Sequence, residues 1–243
     1  MSVLLAAFES HSPEQIRQAL GEGASAVDPI DGKLPINWLI EMYPRTSRLH
    51  ECLRVMLDAG ARIADPQLQA ILLDDASALS AGHRFHLECA YTCLHDVAAL
   101  HVCAEYNSVR CAAALLKAGA DVNAEAGIDA DGIGGQTPLF HTVNSNSNYC
   151  RPMMDLLVAA GADLDIRLQA LAWGKGFEWE TVVFDVSPIS YAQCGLYFQF
   201  HRREEIVYGN IDTLYRKRHG RAAPVRNVPN KYLDDARVFP PRL

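Results

Sequence analysis

The sequence predicts an all-α solenoid of stacked helix-turn-helix units, because two short patterns recur along its 243 residues. One is an apolar helix that ends in Gly-Ala, with the glycine at Gly23, Gly60, Gly119 and Gly161. Glycine stops a helix there because it enters the left-handed region without a steric penalty. The other is a helix start with proline at Pro35, Pro66, Pro138 and Pro188. Proline is suited to the first helical position because the N–H it lacks would have no partner there.

The stretch Val97–Ala124, VAALHVCAEYNSVRCAAALLKAGADVNA, contains the most complete unit. A small apolar helix is followed by a polar break at Glu105–Asn107, and a second apolar helix ends at Gly119. Two helices this short are marginal in water by themselves. The unit therefore requires similar neighbours on which to stack.

The segments TPLFHTV and ALHVCAE, together with LLKAGADVNA, resemble the ankyrin repeat, which has a period of about 33 residues. The resemblance is ungapped from Leu100 to Ala124. It implies helix pairs with β-hairpin fingers and a non-catalytic protein-binding function. It also implies a structural role for His101, whose ring would bond neighbouring backbone across the repeat turn.

Departures from the repeat period define the expected domain layout. We expect one domain over residues 1–220 and a C-terminal strap or tail over 221–243. Within the domain we expect a cap and five repeats, at 1–31, 32–64, 65–96, 97–135, 136–186 and 187–220. The third of these segments is expected to be degenerate, with one helix, part of a second and no recognisable finger. An alternating, β-branched stretch around Gly174–Gly176 predicts one enlarged β-hairpin.

Charge and composition restrict the class of partner. The net charge of −7 argues against a nucleic-acid partner. Residues 200–243 carry ten basic and five acidic side chains, so residues 1–199 carry 12 − 24 = −12. This acidity favours a partner protein with a basic surface. Basic residues such as Arg202 and Arg216 are interpreted as cations near helix ends.

Several further properties are expected from the same composition. No apolar run approaches the roughly 18 residues of a membrane helix, and the N-terminus lacks the basic start of a signal peptide. Seven cysteines at largely apolar positions favour reduced thiols. We therefore expect a cytoplasmic monomer without a cofactor or metal and without a membrane or nucleic-acid partner.

The resemblance to the ankyrin repeat implies which residues contact the partner. They lie in the fingers, at the ends of the first helices and on the enlarged hairpin. The expected contact residues are Asp129, Asp131, Ile133, Gln136, Glu105, Tyr106, Asn144, Ser145, Trp173, Glu178 and Trp179. For the hairpin aromatics, packing against the core is favoured somewhat over binding, because strand alternation would place Phe177 and Trp179 on one face.

A metal-binding or thiol enzyme is the alternative function. The Cys/His cluster comprises His83, His86, Cys89, Cys93 and His95, and its spacing could place several of these residues on one helix face. Zinc prefers such ligands, but the paired C-x-x-C spacing of closed zinc motifs is absent. A thiol triad could combine Cys103 or Cys150 with His141, although no residue context supports it. We therefore predict no catalytic residues.

Overall fold

The computed structural model describes residues 2–42, 45–79, 82–88, 93–174, 178, 180–197, 200 and 202–224. About half of the described residues are helical. Eleven α-helices lie in the described residues: α1 Val3–Glu9, α2 Pro13–Gly21, α3 Pro35–Glu41, α4 Leu49–Asp58, α5 Pro66–Leu72, α6 Ala99–Tyr106, α7 Val109–Lys117, α8 Phe140–Val143, α9 Arg151–Ala159, α10 Pro188–Cys194 and α11 Glu204–His219. The strands are β1 Arg84–Glu88, β2 Cys93–Ala98, β3 Leu168–Trp173 and β4 Thr181–Val186.

The helices pack as successive helix-turn-helix units. Consecutive helices pair as α1 with α2, α3 with α4, α6 with α7, α8 with α9, and α10 with α11. First helices also contact first helices, since α1 packs on α3, α5 on α6, α6 on α8, and α8 on α10. Second helices do the same, with α2 on α4 and α7 on α9. The apolar side chains between these helices form one core cluster.

The four glycine fingers share one backbone geometry. The φ angles of Gly23, Gly60, Gly119 and Gly161 are 101°, 96°, 90° and 93°. In each finger the N–H of the following alanine donates to a carbonyl five residues earlier, as from Ala120 to Leu115 at 2.9 Å. Adjacent fingers are also linked, because the Asp163 N–H donates to Asn123 Oδ1 at 2.8 Å. The prediction of recurring helix ends at these glycines is confirmed.

Three of the four predicted proline starts occupy the first turn of a helix, in α3, α5 and α10. Asp65 caps α5 by accepting hydrogen bonds from the Gln67 and Leu68 N–H groups. The exception is Pro138. Here the chain first forms a tight turn, with the Phe140 N–H donating to Thr137, and α8 has only four residues.

The segment 65–96 differs from the expected partial second helix. After α5 there is a single 3₁₀ turn at Ala76–Ala78, and then β1 and β2 form an antiparallel hairpin. β2 runs directly into α6 and so crosses the expected repeat boundary between 96 and 97. The Asp74 carboxylate accepts hydrogen bonds from the Arg110 and Cys111 N–H groups at 3.2 and 2.9 Å, which links the end of α5 to the start of α7.

The predicted enlarged hairpin is formed by β3 and β4, which pair from Leu168 with Val186 to Trp173 with Thr181. The described residues therefore contain two hairpins in addition to the fingers, β1–β2 and β3–β4, where the sequence predicted one enlarged hairpin. The strands are shorter than expected, because Glu178 and Glu180 lie between them. Phe177 and Trp179 were expected to share one face of a strand, but both lie outside the described residues. The segment between α7 and α8, which we call the long finger, is joined to β3 by a parallel bridge from Ile133 to Ala170 and so extends the β3–β4 sheet.

None of the described helices combines the length and apolar character needed to cross a membrane.

The finger geometry predicts that Gly119→Ala lowers the free energy of unfolding by about 1–2 kcal/mol, because an L-residue is strained at positive φ. A Cβ at Gly119 would meet no atom within 4 Å, so backbone strain is the expected cause. The matched control is Gly21→Ala at the last residue of α2, where there is equally no steric neighbour and no positive φ. It should be neutral or stabilising by up to about 1 kcal/mol. Urea unfolding of both variants tests this prediction. Equal changes in the free energy of unfolding for Gly119→Ala and Gly21→Ala would refute the finger geometry.

Candidate functional site

A small cavity lies between the C-terminal ends of α3, α6 and α8 and the segment that precedes α11. Its volume is about 60 Å³. Its lining combines charged and polar side chains with aromatic ones. The polar group includes Arg45, Glu105, His141, Asn144, Ser145 and Arg202, and the aromatic group is Phe140, Trp173, Tyr191 and Phe200. Four residues expected to contact a partner thus meet at one place, although they come from three separate segments.

The Glu105 carboxylate lies at the centre of the polar group. His141 Nδ1 is 3.1 Å from Glu105 Oε2, and Arg45 Nε is 3.7 Å from Glu105 Oε1. Only 12% of the Glu105 side chain is exposed, against 7% for Arg45 and 1% for His141. A buried carboxylate is tolerated only when it is well paired, because removal from water costs several kcal/mol per ion. We call Arg45, Glu105 and His141 the ionic triad.

The ionic triad connects three units of the chain. Glu105 belongs to the last turn of α6, His141 to α8, and Arg45 to the connection between α3 and α4. Because a carboxylate only accepts hydrogen bonds, the proton in the contact with Glu105 is on His141 Nδ1. The geometry thus fixes the orientation of the imidazole against α6.

Tyr106 supports the triad and does not face solvent. Its hydroxyl donates to the Ile40 carbonyl at 2.9 Å, and the Arg45 guanidinium lies 4.6 Å from the centre of its ring. The Tyr149 hydroxyl donates to the Tyr106 carbonyl at 3.2 Å. Tyr106 is 0% exposed, so its side chain is not accessible to a partner in this structure. The physical reason is that the end of α6 turns this ring toward α3.

Asn144 connects α8 to the last helix pair. Its side-chain N–H donates to the Tyr191 carbonyl, and its own carbonyl accepts from Arg202 Nε at 2.7 Å. Asn144 is 9% exposed and therefore mainly a positioning residue. Ser145 is half-buried, and its hydroxyl oxygen accepts from the Cys150 N–H at 3.0 Å. Ser145 thus presents polar atoms to the cavity from a fixed turn.

His101 has the structural role that the resemblance implied. Its Nε2 is 2.9 Å from the Gln136 carbonyl, which ties α6 to the long finger. Gln136 is 2% exposed, so it too is unavailable to a partner. Burial, together with the neighbouring His141, lowers the pKa of His101 to about 3.

The finger and hairpin residues divide into accessible and buried ones. Asp131 and Glu178 are exposed, while Asp129 and Ile133 are half-buried. Asp129 Oδ1 accepts from the Asp131 and Ile133 N–H groups, both at 3.0 Å, so it shapes the finger turn. The Trp173 ring is 8% exposed and stacks on Phe200 with 4.3 Å between ring centres, which favours packing over binding. Trp179 lies outside the described residues.

Sequence reasoning missed three residues of the site. Arg45 lies in a connection without a repeat signature, so no local signal identified it. His141 was considered only as a member of a thiol triad, although its place after Phe140 in TPLFH could have indicated a position on the first helix. Arg202 was interpreted as a helix-end cation, whereas its Nε donates to Asn144.

The structure does not support the metal or thiol alternative. The stretch expected as a helix face contains β1 and β2, with the His86 and His95 rings stacked 3.9 Å apart and His83 Nε2 2.7 Å from Asp65 Oδ2. Within the described part of the chain, no group of three or more His, Cys, Asp or Glu side chains is placed so that it could hold a metal ion. Cys89 lies outside the described residues.

The thiols considered as nucleophiles are deeply buried. Burial raises the pKa of both Cys103 and Cys150 well above the ordinary value of a thiol. The thiolate is the nucleophilic form of cysteine, so these side chains are poor nucleophiles at neutral pH. Burial also raises the pKa of Cys52 to about 11.

Comparison with known proteins identifies the class of the repeat. The family model described as Ankyrin repeat matches residues 89–126. This segment contains α6, α7 and the Gly119 finger, and the match confirms the resemblance found in the sequence. Ankyrin repeats generally mediate protein–protein interaction and are typically non-enzymatic. No curated protein matches the chain.

Two buried histidines predict an acid-sensitive stability. Burial lowers the pKa of His101 to about 3 and that of His11 to about 4. Both are therefore neutral in the native state, while the unfolded chain takes up protons as the pH falls below about 6.5. The free energy of unfolding should fall between pH 7 and 5, by up to about 1.4 kcal/mol per pH unit for each histidine.

Urea unfolding at pH 7, 6 and 5 measures this dependence. His101→Gln should flatten it because one of the buried imidazoles with a lowered pKa is removed. The control His219→Gln, at an exposed position near the end of α11, should leave it unchanged. An unaltered slope in His101→Gln would contradict the assignment.

Proposed function

We propose that this protein is a non-catalytic interaction module, acting as a scaffold, adaptor or inhibitor. It binds another protein through the surface around the cavity, formed by the ends of α6 and α8, and through the adjoining fingers. The observation that supports this proposal most strongly is that Glu105, Asn144, Ser145 and Trp173 all line one cavity. The protein-binding role common to ankyrin repeats supports the same function.

The residues of this surface have different roles in the proposal. Asp131 and Glu178 contact the partner directly because they are exposed. Ser145 and the edge of Glu105 offer polar atoms at the cavity. Asn144 and Trp173 are buried and support this surface from the interior. The rigid support reduces the entropy that is lost when a partner binds.

The proposed architecture extends the local packing to the whole domain. Residues 1–220 would form one solenoid with a continuous concave side. The strap or tail expected at 221–243 lies, beyond residue 224, outside the described residues. The contacts between successive first helices and between second helices support this arrangement. Stacked repeats of this type present extended concave binding surfaces. The free, buried cysteines support a reducing, cytoplasmic location.

The partner surface is proposed to be basic. The excess of acidic side chains in residues 1–199, together with exposed Asp131 and Glu178, would attract it. Complementary charge of this kind increases the association rate and contributes to partner choice.

Affinity capture with the full chain, followed by mass spectrometry and titration of each captured partner, tests the function. Asp131→Lys should weaken binding about ten-fold, because it places like charges opposite each other. The matched control is Asp58→Lys, an exposed charge reversal at the end of α4. Equal affinities for the two variants would contradict the proposed surface. Binding unchanged between low and high salt would contradict the basic partner.

A further inference from the structure

A second, larger groove runs beside strand β1. Its volume is about 360 Å³, and it lies between β1, α3 and the connection that leads into α5. Four consecutive residues of β1 line it, from Arg84 to Leu87. Successive side chains of a strand point to opposite faces. Since residues of both faces border the groove, it follows the edge of β1.

This edge of β1 has no strand beside it among the described residues. β1 and β2 form a two-stranded sheet, and β2 occupies the other edge. On the β2 side the sheet is closed by the long finger, because the Gly127 N–H donates to the Asp96 carbonyl at 3.1 Å. An unpaired strand edge presents a row of N–H and C=O groups that can pair with another extended chain.

The lining of the groove indicates which chain would fit. Apolar side chains come from α3, the connection and α5, namely Ile40, Ile63 and Leu68. The lining carboxylates are Glu41 and Asp65. The lining guanidinium of Arg84 is already bound by the Asp96 carboxylate and the Asp96 carbonyl. Glu41 is in turn paired with Lys33, and Asp65 with His83. The groove therefore combines apolar and polar side chains, and its two carboxylates against one guanidinium give the lining a formal charge of 1 − 2 = −1.

We propose that an extended segment of a partner protein, with alternating apolar and basic residues, binds here by adding a strand to β1. Its backbone pairs with the open edge of β1. Its apolar side chains contact Ile40, Ile63 and Leu68, and its lysine or arginine side chains approach Glu41 and Asp65. The five residues of β1 span about 17 Å, so five or six partner residues are enough. The site is distinct from the proposed cavity surface, although Glu41 borders both.

The probe is a capped eight-residue peptide of alternating valine and lysine, labelled with a fluorophore and titrated with the full-length protein by anisotropy. We expect saturable binding, and at least about ten-fold weaker binding of the same peptide with glutamate in place of lysine. Absence of binding, or equal binding of the two peptides, would overturn the proposal.

Backbone pairing is tested by two N-methylated forms of the probe, one methylated at the valines and the other at the lysines. Along a strand, alternate N–H groups point to opposite edges. Strand addition therefore predicts that one form loses at least about ten-fold in affinity while the other binds nearly as well as the parent, since each missing hydrogen bond costs about 1 kcal/mol. Equal loss in both forms, or no loss in either, would contradict strand addition.

Protein variants identify the groove. Glu41→Gln should weaken probe binding about three-fold, as expected for one partly exposed charge. Glu205→Gln is the matched control, because both glutamates take part in an ion pair, with Lys33 and Arg203 respectively. Asp131→Lys should leave probe binding unchanged, which separates this site from the cavity surface. An effect of Asp131→Lys as large as that of Glu41→Gln would refute the assignment.

Discussion

The contact of Glu105 with Arg45 and His141 is the interaction on which the rest of the site depends. Each of these groups would be costly to bury alone, and together they are almost completely removed from solvent. Loss of any one leaves an uncompensated charge or an unpaired polar group next to the cavity. Because the three residues belong to different units, the ionic triad fixes the position of α6 and α8 relative to the end of α3.

The triad lies where the repeat pattern is weakest. Between α5 and α6 the described residues contain one 3₁₀ turn and the β1–β2 hairpin in place of a second helix. Long side chains span the resulting gap, since the Tyr106 hydroxyl reaches Ile40 and the Arg45 guanidinium covers the Tyr106 ring. Polar contacts therefore supplement helix packing at this point. The hairpin that replaces the helix also creates the groove beside β1.

The features that the sequence revealed are those determined by local chemistry. The Gly119 finger could be predicted because its positive φ and its hydrogen bonds involve residues only a few positions apart. The β3–β4 hairpin was recognisable from its alternating residues, and α5 from Pro66 after a capping Asp65. The position of Glu105 and Asn144 at helix ends followed from the repeat resemblance.

The remaining features depend on contacts between distant segments. Tyr106 has the sequence environment of an exposed helix end, but Ile40, 66 residues away, determines its burial. Arg45 belongs to the site because its guanidinium lies close to the Glu105 carboxylate. No sequence feature near Arg45 predicts this contact. The β1–β2 hairpin was missed because its strands are short and fall where a repeat period predicts a helix. Burial of Gln136 likewise follows from the contact of its backbone with His101.

A double-mutant cycle on Arg45 and Glu105 tests most directly the claim that the ionic triad holds these units together. Urea unfolding would be measured for the parent protein, Arg45→Met, Glu105→Gln and the double variant. The account predicts a coupling free energy of about 1.5–3 kcal/mol, with the double variant more stable than the sum of the single losses implies. A coupling free energy below about 0.5 kcal/mol, the range of independent sites, would contradict it.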